Sequence, residues 1–335
     1  MRSSNNGILG IHHVTAIATD PQRNLDFYAG MLGLRLVKLT VNFDDPGTYH
    51  FYFGDEAGSP GSLLTFFPWP GSHRGRQGPG QVAVTSFAIL PASVGFWIER
   101  LVRYGVPYKG PAKSGIGAAA DERVISFQDP DGLLLELVAS AGAEAQPVWG
   151  SAPGIPAEHA VHGLHSVTLW VEHGDATIQV LAGTLGFDVV AEEGSTVRLA
   201  IGDGRPGTIV QVRSTGGFVP GVSGAGTIHH VAWRVPDDAT HLRLRESVRG
   251  AGLHPTPVID RSYFHSVYFR ESGGILYELA TDGPGFATDE PLDRLGERLT
   301  LPPQHEPNRG RLEAILPVVH LPRPASEDSF LPAGS

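Results

Sequence analysis

Two short stretches of the 335-residue chain carry the residues best suited to chemistry: Ile11-His12-His13-Val14-Thr15 near the start and Ile228-His229-His230-Val231-Ala232 in the last third. Imidazole binds divalent metals and carries protons near neutral pH. A His-His pair flanked by β-branched residues is costly to place on a strand, and here it is placed twice. An acid accompanies the pairs. Glu136 lies in Leu133-Leu134-Leu135-Glu136-Leu137, and Glu278 in the parallel stretch Ile275-Leu276-Tyr277-Glu278-Leu279. A single buried histidine is more often a hydrogen-bonded core residue than a ligand. Two histidines and an acid at matching places are harder to explain that way.

The matching places come from an internal duplication. Phe53-Gly54-Asp55 and the following Gly61–Phe66 resemble Ile201-Gly202-Asp203 and Gly207–Val212. Phe127–Leu137 likewise resembles Phe269–Leu279, an offset of about 145 residues in both cases. Each half divides again. Residues 11–19 alternate as a strand does, and 21–33 place Leu25, Phe27, Tyr28, Met31 and Leu32 on one helical face, with Gly33 as the stop. Strands follow near 35–42, 48–54 and 62–67. The same order recurs with helices over 92–105, 175–185 and 238–251, stopped at Gly105, Gly186 and Gly252. The chain therefore reads as α+β, with four βαβββ modules over 8–75, 80–140, 162–215 and 226–283. The N-terminal half takes 1–145, an Ala/Gly/Pro-rich linker 146–161, the C-terminal half 162–283, and a Pro-rich tail that wraps or frays 284–335.

Aligned on their first strands, the modules read His13, Ala83, Ser166 and His230 at one position; aligned on their last strands they read Thr65, Glu136, Gln211 and Glu278. This pattern resembles the vicinal oxygen chelate superfamily, in which two βαβββ modules pair into a half-barrel and these positions point into the cup. The resemblance implies two half-barrels. Pairing modules 3 and 4, or 1 and 2, leaves each cup short of ligands. Pairing 1 with 4 gathers His13, His230 and Glu278, with Thr65 at the fourth corner. Modules 2 and 3 then pair without a metal. Two imidazoles and one carboxylate with positions left open are the facial triad of non-haem Fe(II) oxygenases.

The match narrows further on the two IHH stretches, Arg261-Ser262-Tyr263-Phe264, Val267-Tyr268-Phe269-Arg270, Gly273–Glu278, Leu301-Pro302-Pro303 and Leu312–Pro317. Over nearly the whole chain these are similar to the ring-cleaving hydroquinone and chlorohydroquinone 1,2-dioxygenases. The resemblance implies Fe(II), with Mn(II) as the alternative, held by His13, His230 and Glu278. It implies that His12, His229, Arg261 and Tyr268 contact substrate oxygens or the ligands as catalytic groups. It also implies O₂-dependent opening of a hydroquinone-type ring beside a hydroxylated carbon, giving a semialdehyde acid. Thr65 and His265 are further candidates for the pocket. His12 and His229 pose a difficulty, because neighbours on a regular strand face opposite sides. A bulge or strand end would bring them to the cup; otherwise they stand behind it. His165 aligns with His12 and is not assigned as a ligand. Trp69, Trp97, Trp170 and Trp233 read as core.

Other classes remain. A glyoxalase-like isomerase or lyase would want four protein ligands, which Thr65 disfavours. A non-catalytic aromatic-binding module on the same scaffold would not need the His-His-Glu set. The net charge of −10 argues against nucleic acid or an anionic membrane as partner. No apolar run approaches the roughly 20 residues of a membrane span. The first residues lack the apolar core of a secretory signal, so the cytoplasm is expected. With no cysteine, disulfides and thiolate metal sites are excluded. The expected partners are a small aromatic molecule and O₂, with homo-oligomerisation left open.

Overall fold

The computed structural model describes residues 6–113, 116 and 121–321. The first module supplies β1 (Gly10–Ala18), β2 (Arg35–Val41), β3 (Tyr49–Gly54) and β4 (Leu63–Pro68). The second supplies β5 (Gln81–Ile89), β6 (Tyr108–Lys113), β7 (Arg123–Gln128) and β8 (Leu134–Ala139). The third supplies β9 (Leu164–Val171), β10 (Asp188–Glu193), β11 (Thr196–Ala200) and β12 (Ile209–Ser214). The fourth supplies β13 (Ile228–Val235), β14 (Ile259–Asp260), β15 (Phe264–Arg270) and β16 (Leu276–Pro284). One helix follows the first strand of each module. Two of them begin as α-helix, over Pro21–Leu25 and Asp175–Gln179, and finish as π-helix over Asp26–Met31 and Val180–Thr184. The Leu32 amide bonds Phe27 O at 2.9 Å, and Gly33 then turns the chain at φ 67°.

Among the described residues sixteen strands form two eight-stranded mixed sheets. In one the order is β14-β15-β16-β13-β1-β4-β3-β2, so the first and last modules share it. In the other it is β10-β11-β12-β9-β5-β8-β7-β6, from the middle two modules. The first sheet curls into a half-barrel. Its seam is the antiparallel pair β1–β13, with Val14 opposite Val231.

That pair carries two bulges. Ile11 faces Trp233 and His13 faces Ala232, so His12 is the extra residue on β1; Thr15 faces His230 and Ala16 faces Ile228, so His229 is the extra residue on β13. The pair β5–β9 repeats the device, with Ala83 and His165 as the extra residues. This corrects one alignment. Ala83 matches His12, and the second-module counterpart of His13 is Val84. The parallel registers agree: Thr65 lies opposite Thr15, Glu136 opposite Ser86 and Glu278 opposite Ala232, each two residues beyond the cup position.

Within each half, the turn before the last strand grips the other module's helix. Asp129 accepts bonds from Tyr28 Oη (2.9 Å) and the Leu133 amide (2.8 Å). Glu271 accepts them from Thr177 Oγ1 (2.8 Å) and the Ile275 amide (2.9 Å). Gly226, at φ 80°, fits against the first of these turns, because a Cβ there would stand 2.1 Å from Asp131 O. Backbone bonds from Ile11 N to Gly207 O (2.7 Å) and from Leu164 N to Gly61 O (2.8 Å) join the two sheets. Trp97 and Trp233 are fully buried, whereas Trp69 and Trp170 are partly exposed and are not core residues.

As far as residue 321 the tail wraps over the first sheet. Buried Lys38 pairs with Asp289 (2.6 Å) and Glu290 (2.5 Å), Tyr49 Oη bonds Pro317 O (2.8 Å), and Leu301, Leu312 and Leu316 are buried. The rest of the tail and residues 114–115 and 117–120 of the second module lie outside the described residues. Among the described residues no helix is long and apolar enough to cross a membrane.

Asp129 makes stability depend on pH. Burial raises its pKa to about 6, against about 3.9 in an unfolded chain. The native state therefore holds a proton that the unfolded state gives up. Its stabilising effect is complete below about pH 4 and is lost as the pH rises through about 6. Urea unfolding at pH 4.5 and pH 7 checks this. The stability difference between wild type and Asp129→Asn should fall by about 2 kcal/mol at the higher pH. A difference that stays constant or grows contradicts it.

Candidate metal centre

The curled sheet brings His13 from β1, His230 from β13 and Glu278 from β16 to one point, all buried. His13 Nε2 and His230 Nε2 lie 3.3 Å apart, and Glu278 Oε2 lies 3.2 Å from the first and 2.9 Å from the second. Among the described residues this is the one cluster of metal-ligating side chains.

The bulges explain why histidines come in pairs. His12 Nδ1 stands 2.9 Å from His13 Nδ1, and His12 Nε2 stands 3.1 Å from Thr281 O. A carbonyl only accepts, so His12 Nε2 carries the hydrogen and His12 Nδ1 is an acceptor. His13 must then donate from Nδ1, which leaves Nε2 bare toward the cluster. His229 Nδ1 stands 2.7 Å from His230 Nδ1; for His230 to present a bare Nε2 as His13 does, its Nδ1 is the donor and His229 the acceptor. Burial drives the His12 pKa down to about 3 and also lowers that of His230, so both rings are neutral at pH 7. Burial opposes ionisation of Glu278, so its carboxylate needs a positive charge beside it.

Two imidazole lone pairs and a carboxylate oxygen thus face each other within 3.3 Å. Glu278 Oε2 is buried and makes no hydrogen bond, while Oε1 is held by Ser266 Oγ at 2.5 Å. Three acceptors at this distance repel unless a cation lies among them. A facial set about 2.1 Å from a common centre has edges of about 3.0 Å, so the triangle fits a divalent metal. The contacts that His12, His229 and Ser266 make with His13, His230 and Glu278 hold these ligands in orientation.

The triad opens onto a cavity of about 360 Å³. Tyr268 and Arg261 form one wall; Arg261 Nε donates to Tyr268 Oη (3.3 Å) and its Nη2 to Asp44 (3.0 Å). The neighbouring Asp260 accepts the Ser262 amide at 2.7 Å. Burial and the nearby Glu278 push the Tyr268 phenol above its usual range. His229 lines the cavity, whereas His12 is not among the lining residues and stands behind His13.

Two expected pocket residues lie elsewhere. Thr65 is fully buried beneath the wall, bonded to Thr15 Oγ1 (2.8 Å) and His50 Nε2 (3.0 Å). His265 turns to the helix side of β15, where Nδ1 meets Asp238 at 2.6 Å, because alternation sends its neighbours Phe264 and Ser266 inward. Sequence reading missed His50, Tyr52, Phe67 and Trp69, all of which line the cavity. For His50 and Tyr52 the signal was the alternation of Tyr49-His50-Phe51-Tyr52-Phe53, in which the even positions face the cup. On the second sheet the matching place offers Val84, Glu136, Ser166 and Gln211, and His165 is taken up by Glu122 (3.0 Å) and Ser166 (3.0 Å).

Comparisons with known proteins place this geometry among relatives. Residues 10–137 match the model of the Glyoxalase/Bleomycin resistance protein/Dioxygenase superfamily. The chain is 46% identical over 310 residues to "Putative ring-cleaving dioxygenase MhqO" of Bacillus subtilis, covering 92% of this chain and 96% of that protein. It is 31% identical over 305 residues to the "Chlorohydroquinone/hydroquinone 1,2-dioxygenase" of Sphingobium indicum, covering 89% and 92%. A crystal structure described as a putative dioxygenase from Bacillus subtilis superposes with a TM-score of 0.88 at 44% identity, covering 94% of this chain and 98% of that one. Glyoxalase I from Zea mays shares the fold, with a TM-score of 0.59 at 15% identity over 82% of this chain and 92% of that one.

Metal analysis of purified variants tests the cluster. His13→Ala, His230→Ala and Glu278→Gln should each lose nearly all bound divalent metal, while His165→Ala keeps a full site. Metal retained by all three triad variants would contradict the assignment.

Proposed function

The chain belongs to the glyoxalase/bleomycin resistance protein/dioxygenase superfamily and to its ring-cleaving dioxygenase family, and we propose that it opens hydroquinone-type rings with O₂ under Fe(II) held by His13, His230 and Glu278. The observation that carries this reading is the three-sided donor set facing an aromatic-lined cavity, its fourth corner occupied by a threonine. His13, His230 and Glu278 would hold the iron, which would supply Lewis-acid and redox chemistry toward substrate and O₂.

The chain's own residues do the rest. The hydroxyls of hydroquinone sit at opposite ends of the ring, so they cannot both reach one metal as those of catechol do. Side chains must fix the ring's orientation. Arg261 supplies a permanent charge and Tyr268 a hydroxyl, side by side on the wall next to Glu278. Together they stabilise a substrate phenolate held there. With His230 Nε2 as the ligand atom, His230 Nδ1–H donates a hydrogen bond to His229 Nδ1, which leaves the His229 hydrogen on Nε2 for a substrate oxygen. His12 serves at one remove, keeping His13 Nε2 free. Phe264, Phe67 and Tyr52 present ring faces and edges to an aromatic guest. A glyoxalase-type isomerase fits less well, since Thr65 is turned into Thr15 and His50 and supplies no fourth ligand.

Oxygen-electrode assays on anaerobically iron-loaded protein test the proposal. Hydroquinone should drive O₂ uptake faster than catechol, and Tyr268→Phe should lower kcat/KM roughly 10- to 100-fold with iron retained. Absence of uptake with every dihydroxybenzene removes the reading.

A further inference from the structure

The half-barrel has an approximate twofold axis between β1 and β13, and following it across the sheet isolates one residue. On the fourth-module flank, Tyr268 of β15 lies opposite Glu278 of β16. On the first-module flank, Tyr52 of β3 lies opposite Thr65 of β4. Two residues before each tyrosine stands a side chain that reaches across to the same partner. Ser266 bonds Glu278 Oε1 at 2.5 Å, and His50 Nε2 meets Thr65 Oγ1 at 3.0 Å. His50 and Thr65 thus occupy the corner that Ser266 and Glu278 occupy on the other side. Threonine is too short to reach the centre of the cup, so this corner is open, and the His50 ring lines it.

The His50 ring is held firmly. It packs on Tyr52 with centroids 4.0 Å apart and on Phe67 at 4.4 Å. Its Nε2 is committed to Thr65, and Thr65 in turn to Thr15 at 2.8 Å. Nδ1 is the ring nitrogen left for the cavity. Threonine hydroxyls both donate and accept, so reversing the short chain Thr15–Thr65–His50 converts Nδ1 from acceptor to donor. Such a group pairs with a neutral hydroxyl or with a phenolate equally well.

We propose that His50 Nδ1 hydrogen-bonds the far hydroxyl of a para-dihydroxybenzene whose near hydroxyl lies at the triad beside Arg261 and Tyr268. This rests on the hydroquinone reading above. Arg261 and Tyr268 stand on one flank of the cup and His50 on the other. A para-diol presents hydroxyls in opposite directions, which matches anchors on facing walls. His50 is then the residue that tells a para-diol from a ring with a single hydroxyl, since a buried polar group left unpaired penalises the ligand that lacks its partner.

Calorimetric titration of full-length, iron-loaded protein under anaerobic conditions, with hydroquinone and phenol as the two probes, tests this. Wild type should bind hydroquinone roughly five- to tenfold more tightly than phenol. His50→Phe should bring the two affinities within about twofold by weakening hydroquinone alone, and His50→Gln should restore part of the gap. Iron content and unfolding midpoint, measured on the same samples, should match wild type. An unchanged hydroquinone-to-phenol ratio in iron-replete His50→Phe overturns the inference while leaving the proposed function intact. Loss of iron in both variants also overturns it, by making His50 a support of the triad. If wild type binds neither probe, the hydroquinone reading falls and takes the inference with it.

Discussion

The structure depends on one antiparallel contact, the pairing of β1 with β13. These strands come from the two ends of the folded modules, and their register places His13 and His230 side by side. The turns around Asp129 and Glu271 tie neighbouring modules together within each half. The sheets pair modules differently, first with fourth and second with third. Neither half of the chain holds the triad alone. A metal site built this way exists only when the whole chain has folded, since removal of either end removes at least one ligand.

The bulges are the second constraint. Without the extra residues at His12 and His229, those rings would sit on the opposite face from the triad. With them, each ring turns back onto its neighbour's Nδ1 and sets which nitrogen of the ligand is bare. The second sheet keeps both bulges but carries Ala83 and His165 there, with Val84 and Ser166 at the ligand positions. The same backbone device is therefore present twice, and only one copy is furnished with metal-binding side chains.

Much of this was legible in the sequence because strand alternation and duplication are periodic signals. The four modules follow from matching positions, and the crosswise pairing and the His13–His230–Glu278 set from those positions together with the superfamily resemblance. Part of what escaped broke the period. The bulge at Ala83 displaced one alignment by a residue, so Val84 was overlooked. His265 kept the period: alternation between inward Phe264 and Ser266 puts it on the helix side, and that alternation was not followed along β15. Thr65 aligned correctly, but its hydroxyl turns to Thr15 and His50, a choice that only packing reveals. His50 was missed because matching first and last strands never inspects the strands between. Trp69 looked like core by composition, yet it stands at the cavity with its Nε1 bonded to Asp45 at 2.9 Å.

The most direct test of the account is a crystal of the iron-loaded protein measured on both sides of the iron absorption edge. One anomalous peak is predicted, within bonding distance of His13 Nε2, His230 Nε2 and Glu278 Oε2. A peak seated among Glu136, Ser166 and Gln211, or an ordered triad with no iron beside it, would contradict the claim that the two ends of the chain meet to hold a metal.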